Sequence, residues 1–262
     1  MVLQPRRCGG PLLKLSYTFK KTIQRWLWPL MPGWPDEGRR IVQGPPLRGL
    51  LERAAQESGC LRRVFNAGGG EGGYSPLLLK LPGVELVIES DLAYRSHRPR
   101  QIDSKQAFFG GSLASIPLAD KTMDLILCTE VLEHIHEHEQ TLDEIARVIA
   151  PRGWLLITVP TPPAVKDPAH VREGYGPQEL AALLSRRGFD VVETRFCMYF
   201  FFRLLLTHWS TLRWRPRLLI RGLAVLDKLF PWGPPMDLMI LARLADERAV
   251  PMRNHGAAFP SG

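Results

Sequence analysis

The stretch Arg63–Asp91, RVFNAGGGEGGYSPLLLKLPGVELVIESD, constrains this chain more than any other. An apolar pair, Val64-Phe65, leads into a turn holding Gly68, Gly70 and Gly72. An apolar helical segment, a Pro82-Gly83 break and a second apolar strand follow. Glycine reaches positive φ without a Cβ penalty and lets a ligand approach the backbone. The amides that open the next helix face the same turn, where they suit an anionic group. Glu89 follows Gly68 by about twenty residues, the spacing of an acid that accepts hydrogen bonds from a ribose diol. The stretch reads as a strand, turn, helix and strand around a nucleotide-type cofactor. Gly68-x-Gly70-x-Gly72 and Gly68-x-Gly70-x-x-Gly73 are both present. The second is the dinucleotide fingerprint, so an NAD(P)-binding oxidoreductase stays open on the turn alone.

Downstream, strands and helices alternate. Ala107–Ser112, Met123–Cys128, Trp154–Val159, Phe189–Cys197 and Asp237–Leu244 read as strands. Residues 46–58, 139–150 and 177–187 read as helices, and the proline-rich run 29–38 as a loop. Pro177 opens the last of these helices and Gly188 follows its end. Such alternation predicts an α/β fold with a doubly wound, mainly parallel sheet. Ligands of such sheets bind beyond the C-terminal ends of the strands. Gly68–Gly72, Glu89, Ser112, Cys128–Glu130 and Pro160–Pro163 all collect at that edge.

The net charge of +8 is unevenly placed. Residues 1–30 carry six basic residues and no acid, and residues 203–228 carry six against Asp227 alone. The remainder is net acidic, which argues against a nucleic-acid face on the domain and leaves an anionic membrane surface as a partner. Leu12, Leu15, Phe19, Ile23, Trp26 and Leu30 recur at helical spacing, so residues 12–30 predict an amphipathic helix. Charges interrupt its apolar residues, so no signal peptide is expected. Cys8, Cys60, Cys128 and Cys197 form no CxxC pair, which fits a reducing cytoplasm. The expected organisation is a basic extension over 1–57, a cofactor domain over 58–245 and a disordered tail over 246–262. Within the domain, residues 198–235 form an apolar and basic insertion. Its segment 215–230 sets Arg217, Arg221 and Lys228 on one helical side and Leu219, Leu223, Leu226 and Phe230 on another. This suits either an interfacial anchor or a lid over a substrate cavity.

From Val64 to about Phe196 the chain resembles the class I S-adenosylmethionine-dependent methyltransferases, the subgroup that includes quinone-biosynthesis enzymes among them. The resemblance rests on VFNAGGGEGG, VIESD, GSLASIPLADKTMDLILCTEVLEHI, LDEIARVIAPRGWLLITVP and HVREGYGPQELAALLSRRGF, five blocks in order. It implies a seven-stranded Rossmann-like sheet with an antiparallel last strand, and S-adenosylmethionine as cofactor. Gly68, Gly70 and Gly72 would hold the methionine portion, Glu89 the ribose, and Ser112 and Leu113 the adenine. Asn66 and Cys128 would complete the cofactor set. Asn66 and Ser112 stand where the family often has acids, which keeps a non-catalytic, membrane-adaptor member in view.

Thr129–His138, TEVLEHIHEH, is the richest segment in chemistry. On a helix, Glu130 would lie beside both Glu133 and His134. Some family members resemble this pattern and use it, with a distant histidine, to hold a divalent metal. His170 is the distant candidate here. No metal is expected here, and His134 or His170 as a general base is the preferred reading. The expected activity is methylation, at oxygen, of a hydrophobic or lipid-linked acceptor by a cytoplasmic protein working at the inner face of a membrane.

Overall fold

The computed structural model describes residues 27–93, 101–165 and 167–246, with Asp36 described by its backbone alone. The helix expected over 12–30 and the tail expected over 246–262 lie almost wholly outside these residues. Seven strands form one sheet: β1 Arg63–Ala67, β2 Leu86–Asp91, β3 Gln106–Gly110, β4 Met123–Thr129, β5 Ile149–Pro160, β6 Phe189–Cys197 and β7 Asp237–Leu244. Their order is β3-β2-β1-β4-β5-β7-β6. All neighbours pair in parallel except β7, which runs antiparallel between β5 and β6. β1 and β4 are adjacent, and the chain leaves them toward opposite halves of the sheet. Their C-terminal ends frame the crevice at this switch point, where doubly wound sheets bind ligands.

The helices are α1 Pro35–Ser58, α2 Ser75–Leu78, α3 His138–Val148, α4 Pro177–Ser185, α5 Phe200–Thr207 and α6 Arg217–Leu229. Alternate residues of each strand serve two cores. Phe65, Ile126, Leu155, Ile157 and Ile240 pack under α3 and α4, which supply Leu142, Ile145, Leu180 and Leu184. Val64, Leu125, Trp154, Leu156 and Leu241 pack under α1, α5 and α6, which supply Leu47, Leu50, Phe202, Leu205 and Ile220.

α1 starts at Pro35, well before the expected residue 46, and part of the predicted loop 29–38 is helical. It carries Pro45 and Pro46 in its interior. An interior proline costs a helix about 3 kcal/mol. Leu47, Leu50, Leu51 and Ala54 are fully buried on this helix, and each buried leucine contributes about 1.5–3 kcal/mol. Packing therefore outweighs the local penalty.

The insertion forms two helices. Asp227 of α6 is buried and caps α5, accepting from the amides of Tyr199 at 2.8 Å and Phe202 at 2.9 Å. The segment before α1 is stitched to the insertion. Gly33 N–H donates to the Arg215 carbonyl at 2.9 Å, and Arg217 N–H to that of Met31 at 3.0 Å. A Cβ at Gly38 would lie 2.8 Å from Phe202 Cε2 and 2.9 Å from Ile220 Cγ2, so α1 presses closely on both insertion helices.

Candidate functional site

The chain leaves β1 through Gly68, Gly70 and Gly72, whose φ values are +69°, +53° and +77°. A Cβ at Gly68 would meet Val131 Cγ2 at 2.5 Å, so side chains are excluded there by packing as well as by conformation. At Gly70 the added atom would meet nothing nearer than Asp91 Oδ2 at 4.0 Å, leaving the backbone open to a ligand. α2 is one turn long, so the turn's own backbone, rather than a developed helix dipole, offers the donors. The turn borders a cavity of about 390 Å³, lined also by Arg39, Arg40, Gln43, Tyr74, Thr129 and Glu130.

Glu89, the acid expected at the ribose, does not line that cavity. Glu89 is buried beneath the turn, with Oε1 accepting from Gln106 Nε2 at 2.7 Å and Oε2 from Ser75 Oγ at 2.8 Å and Asn66 Nδ2 at 3.3 Å. These bonds tie β1, β2, β3 and α2 together. Asp91, the last residue of β2, is the acid that reaches the turn. Its Oδ2 accepts the Gly70 amide at 3.0 Å and its Oδ1 the Ala93 amide at 2.7 Å. A carboxylate offers about four lone-pair sites, so acceptor capacity remains for a diol.

Asn66 likewise lies under the turn, where a Cβ at Gly69 would strike its Nδ2 at 2.5 Å. Its place is that of a support, not of a cavity wall. Cys128 belongs to the core under α3 and α4, and burial pushes its thiol up to about 12. Leu113 is buried in that core too, and Ser112 accepts from the Ala114 amide at 3.1 Å. Neither lines the cavity.

Glu130 does not share a helical face with Glu133 and His134. The segment is a 3-10 turn, Leu132–His134, and Glu130 precedes it with a φ of +53°. Such a conformation costs a non-glycine residue about 1–3 kcal/mol and persists only when its surroundings fix it. Here Arg39 bonds Oε2 and Thr158 Oγ1 donates to Oε1 at 2.9 Å. Beneath this pair Gln43 Nε2 donates to Asp237 Oδ2 at 2.7 Å and Tyr74 OH donates to Gln43. Burial, and then the charge of Glu130, raise the Asp237 carboxyl well above the usual range. No motif marked Arg39, Gln43 or Asp237, because they come together only through packing across the sheet.

On the other side of Arg39 and Glu130 lies a second cavity, of about 860 Å³. Trp34, Val165, Met198, Leu206, Trp209 and Met236 give it apolar walls, and His170 and Arg203 give it polar ones. Arg203 Nη1 donates to the Pro163 carbonyl at 3.1 Å, while Nη2 is buried with no partner among the described residues. Burial lowers the pKa of His170, and the neighbouring His134 lowers it further. His134 sits behind His170, with ring centroids 4.7 Å apart, and its Nδ1 is 3.0 Å from the Ala169 carbonyl.

Glu133, His134 and His170 present ligand atoms within 4.8 Å of one another. Glu133 is fully buried, and neither carboxylate oxygen has a hydrogen-bond partner among the described residues. Burial and then the charge of Glu130 push its carboxyl up to about 8. These three side chains fit a small divalent cation; Glu130, committed to Arg39, stands apart from them.

Residues 65–157 match the methyltransferase domain family. The chain carries a class I S-adenosylmethionine-dependent methyltransferase domain. Relatives include a protein of Mycolicibacterium smegmatis named as a probable S-adenosylmethionine-dependent methyltransferase, 30% identical over 143 residues. That alignment covers 51% of this chain and 54% of the relative. A malonyl-[acyl-carrier protein] O-methyltransferase of Chlorobium luteolum is 27% identical over 129 residues, 46% of this chain and 49% of the relative. The chain thus spans about half the length of the curated relatives it matches. Among solved structures, an S-adenosylmethionine-dependent methyltransferase from Mesorhizobium loti superposes with a TM-score of 0.52 at 18% identity, covering 76% of this chain and 96% of that one. The [4+2]-cyclase SpnF superposes with a TM-score of 0.53 at 15% identity, covering 76% and 82%. These likenesses concern the fold.

The methyltransferase family's cofactor fits what the chain presents. The open backbone at Gly70, the diol-competent carboxylate of Asp91 and the cationic wall of Arg39 and Arg40 suit its ribose and its methionine carboxylate. The family, rather than the glycine spacing, separates it from a dinucleotide.

Proposed function

We propose that this chain transfers the methyl group of S-adenosylmethionine to an oxygen atom of a hydrophobic or lipid-linked small molecule. The observation that carries the reading is that the cavity beside the glycine turn and the larger apolar cavity share one wall, Arg39 and Glu130. Bound S-adenosylmethionine supplies a methyl group already activated on a sulfonium. What remains for the protein is alignment of an acceptor at near-attack distance and removal of its proton.

Asp91 holds the ribose and Arg39 and Arg40 the carboxylate end of the cofactor. Val165, Met198, Leu206 and Trp209 receive the apolar part of the acceptor and exclude water. The unpartnered Nη2 of Arg203 favours an acceptor with a polar or anionic oxygen close to that apolar part, since a buried donor left unmade costs about 1–3 kcal/mol. His170, kept neutral by burial, takes the acceptor's proton on a ring nitrogen. The oxygen-methylating name of the Chlorobium relative supports an oxygen acceptor.

A non-catalytic adaptor is the second reading, favoured by Asn66, which stands where the family usually has an acid and is taken up by Glu89. Incubating the protein with methyl-labelled S-adenosylmethionine and a lipid extract tests both. Label in an organic-soluble product supports methyl transfer. Tight cofactor binding with no labelled product from any extract would leave the adaptor.

A further inference from the structure

The outward side of α6 is apolar where a helix facing water is polar. Viewed down its axis, Ile220, Ala224 and Asp227 face the core and are buried. Arg217, Arg221 and Lys228 form a row along one flank. The whole remaining arc carries Leu218, Leu219, Val225, Leu226, Leu229 and Phe230, all exposed. Leu218 and Leu229 are 62% and 63% exposed, and Trp214 and Trp232, just beyond the two ends of the helix, 61% and 65%. Phe200 and Leu204 of α5 extend the patch. Contiguous apolar surface of this kind marks an interaction site.

We propose that this face docks on an anionic lipid leaflet, with α6 lying in the plane of the interface. Three observations select that occupant. The first is charge: residues 198–235 contain six arginines and lysines and one acid, and that acid, Asp227, is buried under α5. The second is the placement of tryptophans at both ends of an apolar arc, the arrangement of an interfacial helix with its rings at headgroup level. The third is that the basic flank is held in place. The guanidinium groups of Arg217 and Arg221 lie 5.0 Å and 5.1 Å from the Trp28 ring, and Glu37 pairs with both. A second copy is the poorer occupant. A two-fold interface would set each basic row against the same surface of its mate, which carries no exposed acid within the insertion.

The docking surface also adjoins the acceptor cavity. α5 presents Arg203, Leu206 and Thr207 to that cavity and Phe200 and Leu204 to the exterior. Trp34, 70% exposed, lines the cavity as well. An acceptor held in the leaflet would enter beside α5 without crossing water. The docking itself does not depend on the reaction proposed above.

Sedimentation of the full chain with vesicles tests the proposal, using phosphatidylcholine alone and phosphatidylcholine with 30% phosphatidylglycerol. Each basic residue near an anionic leaflet contributes about fivefold in partitioning. Binding should therefore be at least tenfold stronger to the anionic vesicles, and should weaken at 1 M salt, where the Debye length falls to about 3 Å. Leu218→Glu with Leu229→Glu changes only exposed side chains. It should cut partitioning at least tenfold while the melting temperature and binding of S-adenosylhomocysteine stay unchanged. Wild-type protein that remains in the supernatant with both vesicles overturns the proposal. So does a double variant that binds as well as wild type, which would move the attachment to residues outside α6. A wild-type dimer that the double variant dissociates, without vesicle binding, would assign the face to a second copy instead.

Discussion

The guanidinium of Arg39, on α1, bonds the carboxylate of Glu130, on the turn after β4, across 91 residues of sequence. This one ion pair lies between the cavity beside the glycine turn and the larger apolar cavity. Glu130→Gln keeps the shape and removes the charge. A hydrogen bond to a charged group contributes about 1.5–3 kcal/mol, so turnover should fall at least tenfold. Affinity for S-adenosylhomocysteine should change less, since Asp91, Arg40 and the glycine turn keep their contacts and only Arg39 loses a partner. Calorimetry beside single-turnover label transfer separates the two effects, and equal losses in both would place Glu130 on the cofactor side alone.

Asp91 and Glu89 should behave differently although they sit two residues apart on one strand. Asp91→Ala removes the carboxylate at the turn and should weaken S-adenosylhomocysteine binding at least tenfold, with little loss of stability. Glu89→Ala leaves Gln106 and Ser75 without their buried partner and should lower the melting temperature by several degrees. Calorimetry and thermal melts on both variants check the assignment. A stable Glu89→Ala protein that no longer binds would restore the acid expected from spacing.

That pair also shows where sequence reasoning ended. Spacing places an acid about twenty residues beyond the glycine turn, and both acids satisfy it. Only the pairing of β2 with β3 shows that Glu89 is enclosed by Gln106 while Asp91 lies at the strand's open end. The strands were legible because their apolar runs are bounded by glycine, proline and charge; Phe189–Cys197 and Asp237–Leu244 match to the residue. The start of α1 was less legible, since Pro45-Pro46 argues locally against a helix that burial of Leu47 and Leu50 sustains. Pro35 at its first position was the available signal. Glu130 leaves the expected helical face for a different reason: helical periodicity requires negative φ, and this residue has a φ of +53°.

A divalent ion held by Glu133, His134 and His170 is the alternative to His170 as the acceptor's base. With its Nδ1 proton on the Ala169 carbonyl, His134 has the lone pair of Nε2 left to ligate, 3.8 Å from Glu133 Oε1. Zinc or manganese should then raise the melting temperature of chelator-treated protein, and His170→Ala should abolish the rise. Elemental analysis should return about one ion per chain. A flat titration would leave these side chains as a polar cluster that positions His170.

The buried carboxyl of Asp237 makes stability depend on pH in a defined direction. Its folded pKa lies above the unfolded value, so the favourable contribution is complete below about pH 4 and is lost as pH rises toward the folded pKa. Each unit of that difference costs about 1.4 kcal/mol once pH exceeds both values. Asp237→Asn retains an acceptor for Gln43 and Cys197 and has nothing to ionise. It should melt higher than wild type at pH 8 and alike near pH 4. Parallel melting curves across that range, with a constant offset, would show that folding does not shift the Asp237 pKa.

Gly38 and Arg39 are consecutive residues with opposite obligations. One presses against Phe202 and Ile220 of the insertion, and the other holds Glu130 between the cavities. The helix that carries both is anchored in the core at Leu47 and Leu50 and cannot easily adjust one contact without shifting the other. Residues 31–38 and the insertion, far apart along the chain, are therefore mechanically one unit. Trimming either, or grafting a foreign segment in place of residues 198–235, would disturb the cavity beside the glycine turn as much as the larger one. Exchange between relatives should succeed only when both segments travel together.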